Sequence, residues 1–249
     1  MYISSRILII EGWRIVRSVI IPTLNEAENI EALIRSLFHH LGSEDIHILI
    51  VDDNSNDNTH TIVERLTDEY ANLSMIVRIG ERGLGSAVRE GVSQIQSGSV
   101  VTMDADFSHH PRYIPSIFEK LEAGYDVVVG SRHIKGGAIV GWTGDRIAMS
   151  LFATRLVAML FRVKTTDPMS GLMGCRSSQL LATGFQSDGF KFLLELLVRN
   201  PSLRVADVPI VFQDRIRGSS KLGSQTIMQF LALVFRLLFA RKPKRNGGP

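Results

Sequence analysis

Val100-Val101-Thr102-Met103-Asp104-Ala105-Asp106 is a short apolar run that ends in two carboxylates. β-Branched residues followed at once by a polar turn read as a buried strand, expected over Val100–Met103. The same pattern recurs to either side. Val19–Ile21 leads into Pro22-Thr23-Leu24-Asn25-Glu26, Ile46–Val51 into Asp52-Asp53-Asn54-Ser55, and Val127–Gly130 into Ser131-Arg132, with a further apolar run at Leu73–Val77. Between these runs, Glu28–Leu41, Thr59–Tyr70, Ser86–Gln96 and Tyr113–Ala123 carry apolar residues three and four apart, the helical spacing. The alternation predicts an α/β fold with a mostly parallel central sheet and helices on both faces. Parallel strands put their carboxyl ends on one edge, where ligands of open α/β sheets collect. Four polar clusters are therefore expected to meet there.

Beyond residue 131 the pattern loosens. Gly136-Gly137 and Gly141 predict a mobile loop, and Asp145–Phe161 an amphipathic helix. A loop at Thr165–Gly171 follows, then helices near Ser178–Ala182 and Phe190–Arg199, and a strand over Val205–Phe212. A terminal apolar helix, Ile227–Ala240, ends in Arg241, Lys242, Lys244 and Arg245. The chain is read as an extension over 1–17, a catalytic domain over 18–222, and an amphipathic helix with a basic tail over 223–249.

The 249 residues suffice for one large α/β domain. One cysteine, Cys175, excludes a disulfide framework and a cysteine zinc site, and reads as a small buried hydrophobe. The net charge of +3 hides an asymmetry. Residues 1–130 hold 10 Lys/Arg against 19 Asp/Glu, net −9, and residues 131–249 hold 18 against 6, net +12. Such a split suits a metal on one side and anions on the other. The basic residues lack interleaved aromatics and a known recognition motif, so no nucleic-acid partner is expected despite an isoelectric point near 9.2. No uninterrupted apolar stretch reaches the ~18 residues a membrane span needs. The terminal helix instead fits lying on a membrane surface.

Asp104 and Asp106 offer hard oxygen ligands to Mg²⁺ or Mn²⁺, an ion that draws further ligands from a substrate's phosphates. Asp52 and Asp53 exceed what capping the next helix requires, and a carboxylate there can accept hydrogen bonds from ribose or a base. Gly83-Leu84-Gly85 is not a dinucleotide fingerprint, because Val88 stands where the third glycine belongs. It is read as a place where backbone passes close to a ligand or helix. His109 and His110 are expected at a helix entry or facing solvent. Arg132, Arg146, Lys191, Arg215 and Lys221 lie in polar or Gly/Ser-rich contexts suited to phosphates.

Together, Ile21-Pro22-Thr23-Leu24-Asn25-Glu26, Val51-Asp52-Asp53-Asn54-Ser55, Met103-Asp104-Ala105-Asp106 and Asp214-Arg215…Gly218-Ser219-Ser220-Lys221-Leu222-Gly223 resemble the dolichol-phosphate mannose synthases, inverting family 2 glycosyltransferases. Gly130-Ser131-Arg132, Gly136-Gly137, Trp142, Arg146, Ser150, Asp167 and Ser170-Gly171 follow in the family's order. The resemblance runs from about Val19 to Phe239 and implies a GT-A, Rossmann-like fold. It also implies metal-dependent transfer of mannose from GDP-mannose to a dolichyl or other polyprenyl phosphate at the cytoplasmic face of a membrane, with a membrane-anchoring partner subunit as an option. By that resemblance, Pro22, Glu26, Val51 and Asp53 hold the nucleoside, and Asp104, Ala105 and Asp106 meet diphosphate and metal. Lys191 and Arg215 contact the donor's phosphates, while Arg132, Arg146 and Ser150 hold the acceptor phosphate. Leu24 stands where the family often has Tyr. Ser108 stands where many members have Gln, in the position of a third metal ligand. Two alternatives remain at this point: a UDP-glucose or other UDP-sugar donor, and a catalytically silent nucleotide-binding subunit at the membrane surface.

Overall fold

The computed structural model describes residues 17–42, 46–80, 82–95, 98–184, 191–214 and 224–239. Its sheet begins with β1 (Arg17–Thr23), β2 (Ile46–Asp52) and β3 (Leu73–Val77), alternating with α1 (Ile30–Leu41), α2 (Thr59–Glu69) and α3 (Leu84–Gln94). Then come β4 (Ser99–Thr102), a 3-10 turn (Pro111–Tyr113), α4 (Ile114–Glu122) and β5 (Val127–Ser131). These are the elements the apolar spacing predicts, with ends shifted by a residue or two. β-Strand alternation divides the core. Val19, Ile21, Ile48 and Ile50 point to the layer of α1, α2 and α4, and Ile20, Leu49 and Val51 to the layer of α3.

The second half departs from expectation. β6 (Ala138–Val140) lies inside the segment read as a loop, followed by α5 (Gly144–Phe161) and β7 (Met173–Arg176). After α6 (Ser177–Thr183) and α7 (Phe192–Arg199), the single strand expected over Val205–Phe212 is two, β8 (Val205–Pro209) and β9 (Val211–Gln213), before α8 (Ser224–Phe239). The seven-stranded sheet runs β3-β2-β1-β4-β7-β5-β8. β7 is antiparallel and sits between β4 and β5, with Met173 opposite both Thr102 and Val129. Only four residues long and glycine-bearing, it shows little periodicity. Its Gly174 lets α4 close over the sheet, since a β-carbon there would stand 2.5 Å from Ile117 Cγ2. β6 and β9 form a separate parallel ribbon.

α5 does not have the two-faced character expected of it. Only Thr154 and Val157 are buried, and Met149, Phe152, Met159 and Leu160 are exposed. Val157 joins Leu194 of α7 and Leu233, Val234 and Leu237 of α8 in a third cluster. α8 keeps Met228, Leu231, Phe235, Leu238 and Phe239 exposed. Among the described residues no helix is long and apolar enough to cross a membrane. The basic tail lies outside the described residues.

Candidate active site

Three non-glycine residues adopt left-handed backbone in the loops that leave β1, β2 and β4: Asn25 (φ 59°), Asn54 (φ 58°) and Phe107 (φ 60°). Asn tolerates this region, whereas for Phe it stores strain, which concentrates at functional edges. The edge expected from the strand pattern is where these loops gather.

On the nucleotide side, Asp52 builds the loops. Its fully buried carboxylate accepts hydrogen bonds from Thr23 Oγ1 (2.7 Å), Ser55 N (2.7 Å) and Ser55 Oγ (2.6 Å), and pairs with His60. Burial alone would raise its pKa, but the bonds from Ser55, Thr23 and His60 outweigh that and lower it. Ser55 Oγ also accepts the Asn25 amide (2.8 Å), and Asn25 Oδ1 accepts the Asn56 amide (3.0 Å), joining the two loops. Asp53 is buried as well. Its Oδ2 accepts the Gly83 amide at 2.7 Å, and its Oδ1 lies 3.4 Å from Arg78 Nη1, while Arg78 Nη2 donates to Ser86 Oγ at 2.7 Å. Gly83, at φ 141°, brings its backbone amide onto the Asp53 carboxylate.

Pro22 and Val51 are partners in the β1–β2 ladder. The Val51 side chain is buried beneath Gly91 of α3, so its main chain is what it has to offer a nucleoside. Leu24 is more than one-third exposed, and Glu26 accepts Asn29 Nδ2 at 2.9 Å.

At the end of β4, Asp106 is buried and its Oδ1 accepts both the Ser108 amide (3.0 Å) and the Ser108 hydroxyl. Ser108 thus orients Asp106. His109 corrects the expectation of a solvent-facing residue. It is buried, its Nδ1 lies 3.5 Å from Asp104 Oδ2, and its ring packs on Phe212 at 5.2 Å. Burial, with the Arg132 cation second, pushes its pKa down to about 4, so it is neutral near pH 7. His110 takes the helix-entry role, its Nδ1 accepting the Arg112 amide. Among the described residues no three His, Cys, Asp or Glu gather as a self-sufficient metal site. Two hard carboxylates at a strand edge fit a Mg²⁺ or Mn²⁺ that completes its shell with diphosphate oxygens and water.

Across the edge, Arg132 follows β5. Its Nε and Nη2 donate to the buried Asp167 at 2.6 and 2.8 Å, and its amide to the same carboxylate at 3.2 Å. Arg146, in the first turn of α5, meets Asp214 through Nη1 at 3.1 Å and lies 4.0 Å from the Trp142 ring centroid. Trp142 Nε1 donates to Asp214 Oδ1 at 3.2 Å. Ser150 lies one turn beyond Arg146 on the same helix face. The end of β9 joins the two sides: the Gln213 amide donates to Ser108 O at 3.1 Å, and Phe212 packs on both His109 and Trp142. Lys191, just before α7, stands over the Phe230 ring at 5.1 Å, and burial lowers its pKa to about 8. Arg215 and Lys221 lie outside the described residues. Cys175 is fully buried, which pushes its thiol pKa up.

Sequence reasoning gave no role to Asp167, Asp214, Phe212 or Trp142. Asp167 and Asp214 reach Arg132 and Arg146 from 35 and 68 positions away and Phe212 sits in a short strand, so local spacing carries no trace of them, whereas Trp142 lies near Arg146 and Arg132 in the chain itself.

The model of the family described as glycosyl transferase family 2 matches residues 18–180. The chain belongs to that family. It is 36% identical over 223 residues to a dolichol-phosphate mannosyltransferase of Pyrococcus furiosus, covering 89% of this chain and 63% of the relative, somewhat under two thirds of its length. It is 35% identical to the dolichol-phosphate mannosyltransferase of Saccharomyces cerevisiae, covering 86% and 84%, and 33% identical to that of Mycosarcoma maydis, covering 88% and 78%. Among solved structures, glucosyl-3-phosphoglycerate synthase from Mycobacterium tuberculosis in complex with Mn²⁺, UDP and phosphoglyceric acid superimposes with a TM-score of 0.68 at 20% identity, covering 92% of this chain and 84% of that one. That likeness shows the fold: this glycosyltransferase has the GT-A architecture, with a mostly parallel sheet between helical layers.

Proposed function

We propose that this glycosyltransferase transfers mannose from GDP-mannose to a dolichyl or other polyprenyl phosphate, inverting the anomeric carbon. The observation that carries the reading is one edge with two carboxylates on one side and two guanidiniums on the other. Asp104 and Asp106 stand at the end of β4, Arg132 and Arg146 gather around Trp142, and β9 spans between them. The curated relatives' names supply the sugar and the lipid.

The acceptor needs little activation. A phosphate monoester is largely ionised near neutral pH, so its oxygen attacks the anomeric carbon without a general base. The bond from that carbon to the donor's diphosphate breaks, and the nucleoside diphosphate leaves with the electron pair. The chain must hold two anions together and in line, which is catalysis by positioning and charge stabilisation. We assign Arg132, Arg146 and Ser150 to the acceptor phosphate and Lys191 and Arg215 to the donor's phosphates. Pro22, Leu24, Glu26, Val51 and Asp53 surround the nucleoside. Asp104 and Asp106 would hold the Mg²⁺ or Mn²⁺, with Ala105 and Ser108 in the same turn. When bound, that ion screens the diphosphate and stabilises it as a leaving group.

The lipid acceptor places the enzyme peripherally at a membrane surface, residues 18–222 forming the catalytic domain. The exposed apolar residues of α5 and α8 support contact with lipid. Incubation with labelled GDP-mannose and a polyprenyl phosphate tests the reading. Label should pass into an acid-labile lipid, and its retention in water-soluble material alone would refute it.

A further inference from the structure

Arg132 and Arg146 belong to different segments, carry like charge, and each has its own carboxylate, Asp167 and Asp214. Nothing in those two pairs brings the cations to one point. The Trp142 ring, packed on Phe212, lies beside both: the Arg132 guanidinium carbon is 5.7 Å and that of Arg146 4.0 Å from its centroid, with Arg132 also 5.4 Å from the Phe212 centroid. We propose that Trp142 is the positioning residue that assembles both arginines into one anion-binding fork for the acceptor phosphate. The proposal rests on reading these arginines as the acceptor side of the site.

The chemistry favours a ring in this place. A carboxylate holds a guanidinium through its N–H groups and so competes with a phosphate for them. An aromatic face attracts the cation through its quadrupole and leaves in-plane N–H donors directed outward. The ring is itself fixed. Its Nε1 donates to Asp214 Oδ1 at 3.2 Å, and it packs against Phe212 at 5.3 Å with planes 69° apart. Gly141 precedes it at φ 88°, and a β-carbon there would stand 2.9 Å from Asp214 Cβ, so glycine lets Trp142 and Asp214 approach. The β6–β9 ribbon supplies the frame, with the Asp214 amide donating to Val140 O at 2.9 Å. Before substrate arrives, two arginines and two aspartates balance. An arriving phosphate finds both cations already gathered, without the entropy cost of collecting two long side chains.

The test compares Trp142→Leu and Trp142→Phe with Arg132→Ala and Arg146→Ala, using farnesyl phosphate as a soluble acceptor. Trp142→Leu should raise the acceptor KM roughly 5- to 30-fold, leave the donor KM unchanged, and add nothing further when both arginines are already alanine. Trp142→Phe, which keeps an aromatic face, should recover most of the loss. In a Trp13→Phe background Trp142 is the one remaining tryptophan, and its fluorescence should respond to farnesyl phosphate in the absence of donor. If the arginine variants raise the acceptor KM but neither tryptophan variant does, Trp142 does not position them. Equal losses toward donor and acceptor would show a merely structural role, and a silent fluorescence titration would also overturn the proposal. If neither arginine variant changes the acceptor KM, the assignment of the acceptor side fails first and the proposal with it. Should Trp142→Leu not fold, the Trp142→Phe kinetics and the titration decide.

Discussion

Gly171 passes so close to Asp104 that a β-carbon on it would stand 2.8 Å from Asp104 Oδ2 and 3.0 Å from His109 Cε1. The close approach follows from the antiparallel insertion of β7, whose entry brings Ser170 and Gly171 to the carboxyl edge of β4 and β5. Ser170 is anchored there by its hydroxyl on Gly130 O at 2.6 Å. The Asp104 carboxylate therefore lies between a histidine and a stretch of backbone.

Gly171→Ala should displace that carboxylate. Misplacement by about 1 Å can cost on the order of 100-fold in rate, so kcat should fall by roughly that factor while the melting temperature moves little. Steady-state kinetics beside thermal unfolding check this; full activity would show that Asp104 tolerates the shift.

Asp106→Asn keeps the size of the side chain and an oxygen for Ser108 but removes the charge. Transfer should fall below detection, and thermal unfolding should stay near that of the unaltered chain. Raising the Mg²⁺ or Mn²⁺ concentration should not restore it. Activity close to normal would remove Asp106 from the metal site.

Lys191 predicts a pH effect. Burial lowers its pKa to about 8 from the ordinary lysine value of 10.5, so the cation is lost as pH rises through that region. If Lys191 meets the donor's phosphates, kcat/KM for the donor should fall as pH climbs past about 8, since this ratio reports the free enzyme. Lys191→Arg, which stays charged, should remove that limb. A limb unchanged in the arginine variant would assign it to another group.

The β1–β5 half of the fold was legible because each strand is an apolar run and each helix shows its own spacing. Asp104, Asp106, Arg132 and Arg146 stood out as charged residues in turns or at element ends. What stayed hidden depended on distant pairing. β7 is too short and too glycine-rich to show a period, and Asp167 finds Arg132 from 35 positions away. His109 is buried because Phe212 of β9, distant in the chain, closes over it, which its sequence neighbours do not reveal. The amphipathic reading of α5 failed because its apolar residues spread around the helix instead of following one stripe.

The proposed membrane contact draws on that same spread. Phe152 on α5 and Phe235 on α8 are 69% and 66% exposed, alongside exposed Met149 and Met159 on the first helix and Leu231 and Phe239 on the second, and grouped exposed apolar residues mark membrane or partner surfaces. The full chain should float with anionic liposomes, and Phe152→Ser with Phe235→Ser should reduce the bound fraction without lowering the melting temperature. Retention of the full chain in the soluble fraction would mean that a separate subunit presents the lipid.

The most direct measurement is transfer of label from matched GDP- and UDP-sugars to polyprenyl phosphate, with the Asp106→Asn chain as control. GDP-mannose should label the lipid fraction well above every other donor, and the control should label nothing. Preferential transfer from a UDP-sugar, or no label in lipid from any donor, would contradict the account.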